Sequence, residues 1–447
     1  MDRREIGGAA GGGFRGMIMA VTAIEPSKIA TPPQTESARR IGVWPLIGLF
    51  LFSLCIRAIV GSYLGFNSKL ESDEPEYFNP AVSIAEGNGY CMVPQQSLDG
   101  IPRLTAYRMP GPALILALIF KIFGPSIHAA RWTSAVAGAL AAPLMYLFAR
   151  QFTTQPVALL SGIACSLHPA WTYTAQSIAS EPFFVPGFLL SLWLTIKAFR
   201  SGSWLSFAAG LAWGITAFMR PHALPIAGMV TLLAIWRGRW SVAALLALGV
   251  ATALVPWGVR NFTDFHRFYM LGNESGETFL GANNPYVLSN PALHGMWIPP
   301  TRVSEYRQRL SNVHDEFERR DVQNAIARRF LRQHPESIPR LAIYKLWRWV
   351  TPVTVSGGAI RAMVLASYGS LLLLLAVGVP LGVFKRSLPL DLAMICTLVF
   401  FVMTVVYWGD LTRGRMPLEI IWIPWAASAL FMLLPRGLKE SCSPLSA

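Results

Sequence analysis

Ten long apolar stretches dominate this chain: Gly42 to Leu64, Ala129 to Ala149, Pro156 to Tyr173, Pro182 to Phe199, Trp204 to Met219, Ala223 to Trp236, Val242 to Val259, Ala362 to Phe384, Leu390 to Trp408 and Pro417 to Leu434. Apolar segments of this length bury their backbone polar groups in hydrocarbon only as helices, because a helix bonds every interior N–H and C=O within the segment. The expectation is therefore an all-α polytopic integral membrane protein with about 10–12 transmembrane helices. Composition agrees: 53% of the 447 residues are hydrophobic and 14% charged, which excludes an ordinary soluble domain.

The formal charge of +14 resembles a nucleic-acid signal until the basic residues are placed relative to the spans. With the amino terminus inside, the short inner loops hold Arg39-Arg40, Arg150, Lys197 and Arg200, Arg237 and Arg239, Lys385-Arg386, then Arg436 and Lys439. The charge is topological, and no nucleic-acid partner is expected. The run Pro112 to Phe123 is too short to cross at about 1.5 Å per residue. Counting it as a crossing would also move Arg150 and the following basic loops outside, so a re-entrant or interfacial helix is expected there. The resulting organisation is a flexible basic cytoplasmic tail (1–41), a transmembrane core (42–260) with a first outer loop (65–128), an outer segment with amphipathic helices (261–361), C-terminal transmembrane helices (362–435) and a cytoplasmic tail (436–447). In the outer segment, Phe317, Val322, Ile326 and Phe330 recur at near-helical spacing, and Leu341 to Val350 carries an aromatic belt. Cys55, Cys165 and Cys396 lie in spans, while Cys91 and Cys442 fall on opposite sides, so no disulfide framework or cysteine metal site is indicated.

Just beyond the first span stands Ser72-Asp73-Glu74-Pro75-Glu76-Tyr77, three carboxylates in four residues. One reading is local: Asp73 and Glu76 form a capping box, Pro75 suits the first turn, Tyr77, Ala81 and Ile84 share a face, and Gly87-Asn88-Gly89 ends the helix. That reading leaves Glu74 idle. The outer helix ends and loops also hold Arg108, Arg131, Glu181, Arg220, Arg260, Arg413 and Arg415. One such arginine is ordinarily a snorkelling anchor, but several at the ends of different helices suit a shared anionic ligand, and guanidinium forks fit phosphate. Acids beside phosphate-binding cations suggest group transfer, in which a carboxylate takes a proton from an attacking hydroxyl while cations stabilise a leaving phosphate.

Asp73-Glu74-Pro75-Glu76-Tyr77, Gly87-Asn88-Gly89-Tyr90, Tyr107-Arg108-Met109-Pro110-Gly111-Pro112, Ala130-Arg131-Trp132, Ser180-Glu181-Pro182, Arg220-Pro221, Pro256-Trp257 with Arg260-Asn261, and Arg415-Met416-Pro417 together resemble the GT-C membrane glycosyltransferases. Within these, the resemblance is to the branch of the protein O-mannosyltransferases and the aminoarabinose-to-lipid A transferases. It implies a polyprenyl-phosphate-sugar donor, a lipid, glycan or protein acceptor, and inverting transfer on the periplasmic or lumenal face. It further implies Asp73 as the base with Glu74 beside it, Arg108, Arg131, Arg260 and Arg415 at the donor phosphate, and Glu181, Arg220 and Tyr77 as further site positions. Asp73, Arg131, Glu181 and Arg415 are expected to converge on one outer-facing cavity. A divalent metal ion occurs in some members only, and His128, His222, His266 and His294 show no ligand spacing. Two other readings share the outer-face charge: a transporter or flippase of a lipid-linked glycan, and a ligase or polymerase using a lipid-diphosphate donor. The sequons at Asn261 and Asn273 matter only in a eukaryotic secretory membrane; a bacterial inner membrane is expected.

Overall fold

The structure, a computed structural model, describes residues 42–64, 69–93, 100–202, 204–351, 358–407 and 414–435. Both tails and Arg413 lie outside the described residues. The described residues are 75% helical. In order, the main helices are α1 (Val43–Leu64), α2 (Pro75–Ala85), α3 (Gly111–Phe123), α4 (Ile127–Ala139), α5 (Ala141–Ala149), α6 (Gln155–Leu167), α7 (Pro169–Thr174), α8 (Glu181–Ser201), α9 (Leu205–Met219), α10 (Ala223–Trp236), α11 (Trp240–Phe265), α12 (Ser275–Ala282), α13 (Glu316–Gln333), α14 (Ser337–Val350), α15 (Arg361–Gly378), α16 (Leu388–Tyr407) and α17 (Met416–Leu433). A two-residue antiparallel ribbon, β1 (Cys91–Met92) with β2 (Arg103–Leu104), follows α2 and pairs Cys91 with Leu104.

A helix stands on each of the ten apolar stretches, but not all are equally long. Among the described residues, seven segments are long and apolar enough to cross a membrane: α1, α4 with α5, α8, α11, α15, α16 and α17. The other three, α6, α9 and α10, span 13 to 15 residues. The stretch read as Pro156 to Tyr173 is broken because Pro169 has no N–H to donate, so α6 stops at Leu167 and α7 restarts after His168.

Close helix contacts are made where side chains vanish. A Cβ on Gly210 would sit 2.0 Å from the Leu246 carbonyl oxygen, and one on Gly249 would sit 2.3 Å from that of Phe207, so α9 and α11 touch backbone to backbone. Ser191 and Thr216 at 3.2 Å, and the Trp213 indole N–H donating to Thr195 at 3.0 Å, add polar links between α8 and α9.

The residues assigned to inner loops meet one another. Arg200 donates to the Gln151 carbonyl at 2.8 Å, Arg239 donates to the Phe199 carbonyl, and Arg237 pairs with Asp391. At the opposite end, α3 leaves and returns to the same place: Arg108 before it pairs with Glu76, and Arg131 just after it pairs with Glu74. A 13-residue helix whose two flanks touch one turn does not cross the bundle.

Candidate active site

The acidic turn is not built as a capping box. Residue 74 already has helical angles (φ −57°, ψ −39°) and α2 begins at Pro75 without a side-chain cap. The carboxylates face arginines because charge-assisted bonds to a guanidinium outcompete a backbone N–H. Ser72 enters the turn with φ +53°, in the left-handed region that a non-glycine residue adopts only when its surroundings hold it there.

Glu74, idle in the capping reading, is the structural centre. Its two oxygens each accept from Arg131 at 2.8 Å, a bidentate pair, and they also accept the Ile178 N–H at 3.1 Å and the Glu71 N–H at 3.0 Å. The turn is thereby riveted to α4 and to the segment just before α8. Arg108 answers the remaining acids. It lies 2.5 Å from Glu76 and 3.8 Å from Asp73, pairs with Glu274 from the outer segment, and stacks over Tyr77 at 5.6 Å and Tyr107 at 5.4 Å. Among the four, side-chain exposure is 8% at Glu74, 15% at Glu76, 24% at Glu274 and 34% at Asp73. Of these four, Asp73 is therefore the most open to a reactant, with a guanidinium 3.8 Å away.

The outer segment locks this arrangement from above. Glu316 of α13 accepts from Thr105 Oγ1 at 2.8 Å, the Ala106 N–H at 2.6 Å and Asn273 at 3.0 Å, and Tyr107 donates to Glu277 at 2.7 Å. Burial pushes the Glu316 and Glu277 carboxyls above the ordinary range.

Glu181 and Arg220 form their own pair at 3.4 Å, with Glu181 fully buried at the start of α8. Glu181 is three residues past Ile178, which Glu74 binds, so this pair adjoins the turn along the chain. Two further expected phosphate ligands have carboxylate partners of their own. Arg260 is held by Asp264 at 2.7 Å and the Thr105 carbonyl at 2.8 Å over the Trp257 ring, as a rivet between α11 and the ribbon. Arg415 does not join the turn: it bonds Glu419 at 2.5 Å and the carbonyls of Trp349 and Thr351 at 2.7 and 3.1 Å, over the Tyr368 ring. Glu419 is bonded in turn by His168 at 3.0 Å. Of the expected site residues, Asp73, Glu74, Arg108 and Arg131 thus meet at one turn, Glu181 pairs with Arg220, and Arg260 and Arg415 pair with Asp264 and Glu419. Glu274, Glu277, Glu316, His168 and Glu419 are missed by sequence reasoning. No local pattern links Glu274 to Arg108 across 166 positions.

A groove of about 650 Å³ runs along α13 between Asp321 and Gln333, on its arginine face and apart from the acidic turn. Among the described residues, no group of three or more His, Cys, Asp or Glu is arranged to hold a metal ion.

Comparisons now place this geometry. Residues 107–258 match a family model described as dolichyl-phosphate-mannose-protein mannosyltransferase. No curated protein matches the chain by sequence. Among solved structures, the archaeal oligosaccharyltransferase AglB from Archaeoglobus fulgidus, in complex with an inhibitory peptide and a dolichol-phosphate, aligns over 89% of this chain and 51% of its own. The identity is 14% and the TM-score 0.57. The apo oligosaccharyltransferase from the same organism gives 12% identity and a TM-score of 0.55 over 89% and 52%. ArnT from Cupriavidus metallidurans bound to undecaprenyl phosphate aligns over 87% and 78% at 15% identity, with a TM-score of 0.38, too loose to carry an argument. The chain spans about half the length of the oligosaccharyltransferases it matches. The fold is that of the GT-C membrane glycosyltransferases.

Proposed function

We propose that this protein transfers a sugar from a polyprenyl-phosphate-linked donor to a hydroxyl of a lipid, glycan or protein acceptor, at the acidic end of the bundle on the outer face of the membrane. The observation that carries this reading is Asp73, the most accessible of the carboxylates grouped around Arg108 and Arg131, on a GT-C fold. The family model over residues 107–258 and the dolichol-phosphate held by the AglB neighbour favour a lipid monophosphate donor.

Asp73 accepts the proton of the acceptor hydroxyl as its oxygen bonds to the sugar C1, and the C1–O bond to phosphate breaks with its electron pair leaving on the polyprenyl phosphate. Backside attack inverts the anomeric centre. General-base assistance of this kind contributes about 10²–10⁴-fold. Arg108 and Arg131 hold the carboxylates of the turn in place and, lying at the turn itself, are the cations this reading sets nearest the donor phosphate; Arg220 is paired with Glu181, Arg260 with Asp264 and Arg415 with Glu419. The basic loops that meet at the other end support an outer-facing site, and a bacterial inner membrane with a periplasmic site is the setting this reading favours.

Membranes containing the protein, supplied with a radiolabelled polyprenyl-monophosphate sugar, test the proposal. Label moving into acceptor without prior translocation is the expected result. Transfer from a diphosphate donor alone, or movement of intact donor across the membrane without transfer, would overturn it.

A further inference from the structure

Below the acidic turn lies a line of donors that nothing among the described residues answers. Arg57 is fully buried two-thirds of the way along α1, and its Nη1 bonds Ser53 Oγ and the Ser53 carbonyl, while its Nε and Nη2 have no partner. Its guanidinium lies 5.4 Å from the ring of Trp171, whose buried indole N–H is also unpartnered. Gly138 of α4 makes room for it: a Cβ there would sit 3.3 Å from Arg57 Nε. One turn above Gly138 on the same face is Ser134, buried with an unpartnered hydroxyl, and one turn above that is Arg131, whose Nε is likewise unpartnered.

A buried guanidinium with two unmet donors and no carboxylate partner is an expensive arrangement inside a membrane-spanning bundle. Arg131, Ser134 and Gly138 follow one helix stripe, so the donors descend about 10 Å from the turn toward Arg57. Four of the unmet atoms, two on Arg57 and one each on Trp171 and Arg131, can only donate, which selects an anion over a neutral polar group.

We propose that Arg57 and Trp171 form an anion seat beneath the acidic turn, taking a phosphate group. The burial of Arg57 within α1, a helix long and apolar enough to cross a membrane, points to the phosphate of a lipid, while soluble phosphate shares the same chemistry. The inference stands on the unmet donors and not on the transfer reading.

The full chain in detergent is titrated with dodecyl phosphate and, separately, with inorganic phosphate, following tryptophan fluorescence. Subtracting the response of Trp171→Phe isolates the indole at the seat. The expected result is a saturable change with dodecyl phosphate that is at least about tenfold weaker in Arg57→Met and intermediate in Arg57→Lys, which retains the charge without the fork. Arg57→Met removes an uncompensated buried charge, so it is expected to fold; should it not, Arg57→Lys carries the same comparison. Saturation by inorganic phosphate at equal concentration supports the seat with a soluble source. A Trp171 component that ignores both phosphates, or that is undiminished in the Arg57 variants, overturns the proposal. Failure of sugar transfer would leave this local signal untouched, so the two proposals fail separately.

Discussion

Two arginine–glutamate clusters sit in this bundle, and they differ in what they leave accessible. At Arg415, Glu419 and His168 the cluster is closed in: side-chain exposure is 3% at Arg415 and 4% at Glu419, and two backbone carbonyls accept from Arg415 Nη1. At the acidic turn, Glu74 is just as completely bonded, but it is joined by Asp73, with eight times the side-chain exposure of Glu419 (34% against 4%) and a neighbouring cation at 3.8 Å. A cluster closed in on every side pins helices; a cluster that also presents an accessible carboxylate can act on a reactant.

The comparison can be broken first at its buried member. Arg415→Ala leaves Glu419 buried with only His168, and is expected to destabilise the folded protein by about 3–5 kcal/mol. Thermal melts in detergent should recover much of that loss in the Arg415→Ala, Glu419→Gln double variant; a melt unchanged from wild type would remove the structural role. Arg131→Ala is expected to act in the same direction but less, by about 2–3 kcal/mol, because Glu74 keeps two backbone N–H partners. A double-mutant cycle with Glu74→Gln should show coupling of about 1–3 kcal/mol; additivity within error would contradict the bidentate pairing.

The smallest expected effect is a pH slope. Burial raises the Glu277 carboxyl above its unfolded value, so the native state holds its proton to higher pH than the unfolded chain does. Stability from this group is full below the unfolded pKa of about 4.3 and falls as pH rises through the native value. Glu277→Gln, which can still accept from Tyr107, should flatten melting temperature against pH in that window. A slope identical to wild type would show that Glu277 is not its source.

Hydropathy and the basic loops make the helix complement legible from sequence, since both properties are local and repeat along the chain. The shortness of α3 and the charge pattern also indicate a helix that fails to cross, and the shared turn met by Arg108 and Arg131 agrees. What local pattern misassigns is the partner of each charge. Asp73 and Glu76 match a capping box at three-residue spacing, yet their carboxylates meet an arginine more than thirty positions away, since an ion pair formed by tertiary packing overrides a cap worth about 1 kcal/mol. Arg415 carries a motif that resembles a donor-site position, and Glu419 one turn on accepts from its Nε. An i to i+4 Arg–Glu spacing was the available clue. Glu274 inside a glycosylation-like triplet gave none.

The most direct measurement compares sugar transfer from a polyprenyl-monophosphate donor by wild type and Asp73→Asn, with folding and amount matched by melting and by quantified protein in the membrane. Loss of about 10²-fold or more in rate, with the melt unchanged, is the predicted outcome. Full transfer by well-folded Asp73→Asn would contradict the assignment of the exposed acid of the turn as the base.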